Sequence, residues 1–421
     1  ALALAAIAWT VLLFLAWFDR ITFDGDSLRR TGLLPRLWSR IFRRPLRIRL
    51  SEIEQIETQA LRALQTGGRV YYRYRSEIRG NDLIFSFASG GGAAFRRMVR
   101  RLFPLVPEDK LDARSLELCN YLADPKETQA SARLLQLPSD EVAENSLKKP
   151  VVNDKMRQIK RNLLQDENHQ VESAQHVKQL RQVANELRLA GNFPQSLEAF
   201  RRALFVAPTD GWLLLEFSRT LHSYASSCRR MKLMRRAFAV LRLAARRGSD
   251  NAKLLARIGE SYFQYGEQKR AELVFRRVLE LDADNFRASC GLAEIALHEG
   301  KLAHVIHHYQ AATRAAEDEA LKLWARTEAD YFALLNRNED YMDAELTRIN
   351  WLHNVENGSR ICLRLAISGL FVVSFGVFFD DLLAQLGLAL TAGTTLFWVV
   401  LTIIGKFLIS RSDVVEEENN E

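Results

Sequence analysis

At 421 residues, with a net charge of +8 and a pI near 9.3, the chain is long enough for two or three domains. Its four cysteines (Cys119, Cys228, Cys290, Cys362) have no metal-ligand or redox spacing, which excludes a disulfide-framework protein and suits a reducing compartment. The charge is unevenly placed: residues 20–101 hold 18 arginines, no lysine and 7 acids.

Residues 1–18 carry no charge and match the roughly 20 residues that a helix needs to cross a bilayer. Arg20, Arg29, Arg30 and Arg36 follow this run; a cleaved signal peptide would carry its basic residues before it. Excess arginine marks the cytoplasmic flank, so a transmembrane helix with the next segment in the cytoplasm is expected.

Residues 19–122 read as a basic, strand-rich α+β domain. Residues 21–23 and 27–34 flank the turn-former Asp24-Gly25-Asp26, and residues 46–50 alternate Leu, Arg, Ile, Arg, Leu. Residues 70–77 and 83–87 flank Arg79-Gly80-Asn81-Asp82, a hairpin signal. Helices are expected at 93–103 and 112–122. Entered directly from a membrane helix, this pattern resembles the bacterial pleckstrin-homology-like domains. The carrying residues are the opening hairpin, the 46–56 strand with Ile53 and Ile56, and the Tyr71–Phe87 hairpin. Independently of that resemblance, Arg36, Arg40, Arg43, Arg44 and Arg47, interleaved with Trp38, suit contact with an anionic membrane surface. Nucleic-acid binding through these arginines with Tyr71, Tyr72 and Tyr74 is the weaker reading for a membrane-tethered chain. Residues 123–176 lose periodicity and read as a linker with a short helix at 155–164.

From residue 177 to 352 a helical hairpin recurs about every 34 residues, with units at 177–210, 211–251, 252–285, 286–319 and a partial one at 320–352. The clearest unit has Leu255, Ile258-Gly259, Tyr262, Gly266, Ala271, Phe275, Val278 and Ala283. Leu292-Ala293, Ala296, Gly300, Val305, Tyr309 and Ala312 repeat it, and Leu187, Gly191, Ser196, Phe200 and Ala203 precede it. The unit at 211–251 fits only with about seven extra residues near 223–229, read as an inserted loop. Glycine at the turns of the other three full units (Gly191, Gly266, Gly300) supplies the left-handed backbone that ends the first helix.

These residues resemble the tetratricopeptide repeat family, which implies a mainly α fold, an α-solenoid whose first helices line a concave groove for a protein or peptide partner. At the groove positions stand Lys178, Arg181, Asn185, Arg188, Trp212, Arg219, Lys253 and Phe263, with Arg257 beside them. Family members that hold a terminal carboxylate use basic and Asn side chains at such places. Arg181, Asn185, Lys253 and Arg257 match in type, whereas Glu216 would repel a carboxylate. Because Arg and Lys dominate the first half of the groove, an acidic or mixed peptide, rather than a clamped terminal carboxylate, is the expected occupant.

Residues 361–379 and 382–405 are apolar runs separated by Asp380-Asp381, and Arg360, Arg364, Lys406 and Arg411 flank them. They read as a transmembrane helical hairpin with its turn outside, followed by an acidic tail at 411–421. Arginine outnumbers lysine 46 to 13, which points to a GC-rich bacterial genome, and with the basic flanks cytoplasmic the chain reads as a bacterial inner-membrane protein. Gly90-Gly91-Gly92 precedes a helix but lacks the Gly-Lys-Ser/Thr ending of a nucleotide loop, and a flexible turn is favoured. His304, His307 and His308 have metal-like spacing but no further ligand in register, so solvated or interface histidines are favoured. No cofactor, metal or catalytic residue is expected, and the chain reads as no enzyme. The function expected is a membrane-anchored scaffold that binds a protein partner and assembles or localises a membrane complex. The alternative is a membrane regulator whose basic domain senses anionic lipid.

Overall fold

The structure is a computed structural model that describes residues 18, 20–42, 45–64, 70–80, 83–89, 92–148, 167–379 and 381–409. The expected first membrane helix, the helix at 155–164, Arg43, Arg44, Gly90-Gly91 and the acidic tail lie outside them, as does the Trp38 side chain. The chain divides into two compact units, one of residues 23–28 and 48–330, the other built on residues 29–47 and from 331 onward.

Strands β1 (Arg20–Phe23), β2 (Ser27–Thr31) and β3 (Arg47–Arg49) form one sheet in the order β1-β2-β3. The expected strand at 27–34 stops at Thr31, and helix α1 (Leu33–Phe42) follows with Arg36 and Arg40 exposed. Strands β4 (Gln55–Leu64), β5 (Val70–Gly80) and β6 (Leu83–Ser89) form an antiparallel second sheet, paired Gln55↔Arg79 to Leu64↔Val70 and Tyr74↔Ser89 to Gly80↔Leu83. Period-two alternation buries Ile56, Thr58, Tyr74, Ser76, Ile78, Leu83 and Phe85 on one face. Gly80 is required because a Cβ there would lie 2.3 Å from the Glu52 carbonyl oxygen.

Helix α2 (Ala93–Leu102) covers that face with Phe95, Val99 and Leu102, spaced i, i+4, i+7, and Phe95 stacks on Tyr74 with centroids 5.7 Å apart. Two three-stranded sheets followed by a helix are the elements that the pleckstrin-homology resemblance implies. Helix α3 (Ala113–Tyr121) is pinned to the edge of β4. Asp112 caps it by accepting from Ser115 N at 2.9 Å and also accepts from Thr58 N at 3.1 Å. Ser115 Oγ meets Thr58 Oγ1 at 2.8 Å, and Thr58 Oγ1 meets Ser76 Oγ at 3.0 Å, so a buried hydroxyl chain ties helix to sheet.

The expected linker carries structure of its own. Helices α4 (Pro125–Leu134) and α5 (Asp140–Lys148) lie within it, and Ala132 and Leu137 join Leu180, Val183, Ala184, Leu187 and Phe200 in one apolar cluster. The polar composition hid these helices because each buries only a narrow stripe.

Four helical hairpins follow: α6 (Glu167–Leu189) with α7 (Phe193–Val206), α8 (Gly211–Cys228) with α9 (Met231–Arg247), α10 (Ala252–Gln264) with α11 (Gln268–Leu281), and α12 (Phe286–His298) with α13 (Leu302–Ala315). Gly191, Gly266 and Gly300 take φ of +86°, +80° and +72° at the turns of the first, third and fourth. In the second the extra residues extend α8 by more than a turn instead of forming a loop, and Arg229 occupies the left-handed position at φ 52°. The small residues sit where helices cross: Phe275, 1% exposed, fills the space beside Gly259 and Gly291, where an added Cβ would come within 2.6 Å and 2.5 Å of its ring. The start of α14 (Glu319–Arg337) closes the array, with Leu321 and Ala325 packed on Phe286 and Ala312.

In the other unit α15 runs unbroken from Glu339 to Phe379, because no proline or capping residue interrupts it. The partial repeat's second helix and the apolar run are thus one 41-residue helix. It pairs with α16 (Asp381–Ile409) through small residues; a Cβ at Gly376 would lie 2.4 Å from Ala384 N and one at Gly387 2.7 Å from Val373 N. Both helices are long and apolar enough to cross a membrane, and their outer side chains, such as Phe371 and Phe378, are exposed at 73% and 82%.

Candidate functional site

The concave face of the repeats is built from the first helices α6, α8, α10 and α12, and an acidic segment of the same chain, residues 108–121, is bound across it. Glu117 on α3 is the centre. Its carboxylate accepts from Arg188 Nη1 at 2.9 Å, Arg219 Nη1 at 3.1 Å and Arg114 Nη1 at 2.9 Å. Burial alone pushes this carboxyl up, but Arg188, Arg114 and Arg219 outweigh it and hold it at about 2. Arg188 is itself 3% exposed and is oriented by the Asn185 side-chain oxygen at 3.2 Å.

A second cluster lies one repeat further on. Arg257 Nη1 donates to Glu260 Oε2 at 3.2 Å, and its other terminal nitrogen is 3.9 Å from Glu108. Arg287 donates to Glu260 Oε1 at 2.9 Å, to the backbone carbonyl oxygen of Glu108 and, through Nε, ion-pairs with Asp109 at 3.0 Å. Burial pushes the Glu260 carboxyl up, and Arg287, Arg257 and Arg219 bring it below its ordinary value. Lys110, 1% exposed, extends from the same segment to Asp318 at 2.7 Å.

Glu216 does not repel an incoming carboxylate so much as consume the cations meant for one. It takes Arg181 in a two-point contact at 2.8 and 2.7 Å and Asn185 at 3.0 Å, and it accepts from Tyr121 OH at 3.0 Å. The predicted groove residues thus fall into two sets. Arg181, Asn185, Arg188, Arg219 and Arg257 are brought together, and their partners are Glu117, Glu108, Glu216 and Glu260 of the same chain. Lys178 and Lys253 are exposed, while Trp212 and Phe263 pack half-buried on the repeat core.

Sequence reasoning missed Glu108, Asp109, Glu117 and Arg287. A signal existed: residues 103–176 have more acids than bases directly before a basic repeat region, so an internal match of charge was available.

The remaining candidates take no part in these ion-pair clusters. His304, His307 and His308 line a shallow cleft with Arg276 and Leu279, and among the described residues no group of three or more His, Cys, Asp or Glu is placed to hold a metal. Gly92 adopts an extended conformation before α2. Of the arginines assigned to a membrane surface, Arg36, Arg40 and Arg47 are exposed.

No family model matches the chain, and no curated protein matches it. Among solved structures the chain is similar to MamA (17% identity, covering 40% of this chain and 96% of that one, TM-score 0.27). It is also similar to TTC0263, a thermophilic TPR protein of Thermus thermophilus (21% identity, 49% and 100% covered, TM-score 0.32). A double mutant named MamA RS-1 ArsTM gives 14% identity, 44% and 94% covered, and a TM-score of 0.27. The fold assignment rests on the packing described above: helical hairpins stacked through small residues, with glycine turns, form a tetratricopeptide-type solenoid.

Proposed function

We propose that the chain is a non-catalytic, membrane-tethered scaffold for protein interaction, held in a bacterial inner membrane with its body in the cytoplasm. The observation that carries this reading is the stack of helical hairpins, an architecture suited to protein partners; segment 108–121 fills its concave face, so a partner would dock on the outer helices. A tether by α15 and α16 would raise the effective concentration of a captured partner at the membrane, which is what assembly of a membrane complex requires. The test is isolation of the full chain in mild detergent beside a chain lacking residues 177–352. A stoichiometric protein retained by the first and lost from the second supports the reading; an unchanged set of co-isolated proteins refutes it.

A lipid-responsive regulator is the second reading, favoured by the exposure of Arg36 and Arg40 one helical turn apart on α1. It expects reversal of both charges to weaken association with phosphatidylglycerol vesicles while leaving phosphatidylcholine vesicles unaffected.

A further inference from the structure

Between Glu216 and Asp250 there is no acidic residue, and six of the nine Lys and Arg residues of that stretch lie on one helix, α9. Ala237, Leu241 and Ala244 bury its inner face in the array. Its outer face presents Lys232, Arg235, Arg236, Arg242, Arg246 and Arg247, all exposed and recurring at i, i+3 and i+4. None of these six has an ion-pair partner among the described residues, whereas the neighbouring Arg230 pairs with Glu144 at 3.2 Å. Several other outer arginines are matched by acids of their own helices, as Arg201 and Arg202 are by Glu198 and Arg277 is by Glu280. The face is therefore an isolated basic strip about 25 Å long on a rigid support, with Met231 (66% exposed) and Leu243 (39%) set among the charges.

We infer that the outer face of α9 is a docking surface for an acidic segment of a protein partner, an inference that rests on the scaffold reading and names the partner's chemistry. Charge complementarity identifies the occupant as anionic, and guanidinium forks suit carboxylates, as Arg181 on Glu216 demonstrates elsewhere in this molecule. A bilayer is the poorer fit, because a surface-lying helix inserts its apolar face into lipid and that face of α9 is already buried against the repeats. Single-stranded nucleic acid is poorer too, since the exposed strip has no aromatic ring on which a base could stack.

The probe is a fluorescent peptide of roughly 8 residues rich in Glu and Asp with interspersed Leu, about the length that would track the strip when extended. Its anisotropy is read on the full chain in neutral detergent. The variant is R235E/R236E/R242E/R246E, and the control reverses Arg97, Arg100, Arg101 and Arg133, which are exposed and give the same change in net charge. Binding is expected to weaken about 30-fold or more in the variant and within about two-fold in the control, and to fall steeply with salt. Equal weakening in both, or stronger competition by phosphatidylglycerol vesicles or a single-stranded oligonucleotide than by unlabelled peptide, would overturn the inference. The assay needs no native partner, so its failure leaves the scaffold reading standing. A failed co-isolation in turn leaves the strip's preference for carboxylates measurable.

Discussion

Replacing Glu117 with Gln removes the charge that three guanidiniums share at the centre of the concave face. The carboxyl lies at about 2 against an ordinary 4.5, a differential stabilisation of about 3 kcal/mol for the ionised form. A second route gives a similar size: Arg188, 3% exposed, is left without its carboxylate, and breaking one side of a buried pair costs about 3–5 kcal/mol. Because the folded pKa is depressed, this stability is fully present above the unfolded value of 4.5 and is lost as pH falls toward about 2. The assay is urea unfolding of the full chain in mild detergent, near neutral pH and again well below 4.5, with hydrogen exchange followed on α3. E117Q is expected to lose about 3 kcal/mol near neutrality and much of the wild type's acid dependence, with faster exchange across 113–121. Pairing Glu117→Leu with Arg188→Met is expected to recover most of the loss, since an apolar pair replaces an ion pair without leaving a lone charge. A loss below about 1 kcal/mol, the size of a solvent-exposed pair, together with an unchanged acid profile would refute the idea that this contact locks the groove.

The turns offer a paired test. Arg229→Gly relieves a left-handed residue and should raise stability by about 1 kcal/mol, whereas Gly266→Ala, at φ +80°, should lower it by a similar amount; shifts of the opposite sign in denaturant midpoint would contradict this. Gly291→Ala forces a methyl toward the Phe275 ring and is expected to cost about 1–3 kcal/mol, unless Phe275 is also shortened to Leu, which should restore part of it. Burial holds His222 at about 4, stacked on Tyr265 at 3.5 Å. The unfolded chain therefore binds the extra proton between about 6.5 and 4, and His222 should weaken the fold as pH falls through that window. An imidazole NMR titration midpoint near 6.5 would refute that burial.

The repeat signature was legible because hairpin stacking demands the same small residues at the same offsets; Gly259, Gly266 and Phe275 announce their roles from spacing alone. The α2 helix and the β5–β6 hairpin were legible for the same local reason. The strand expected through Leu34 was not, because α1 begins directly after Gly32 without a capping side chain to mark it. The helices at 125–134 and 140–148 were hidden by composition, and the lengthened α8 by its irregular count.

Sequence by itself determined the periodic architecture, the two apolar helices and the placement of a basic excess, since each follows from local spacing and transfer energy. Of the cations in the concave face's ion-pair clusters, Arg181, Arg188, Arg219 and Arg257 were named from the repeat positions, and Arg287 was not. Only the tertiary structure decided what those cations hold. Arg188 and Glu117 are 71 residues apart, and Arg287 lies far along the chain from Asp109. Their pairing depends on Asp112 and Ser115 fixing α3 to the edge of β4, a long-range geometry that no local pattern encodes.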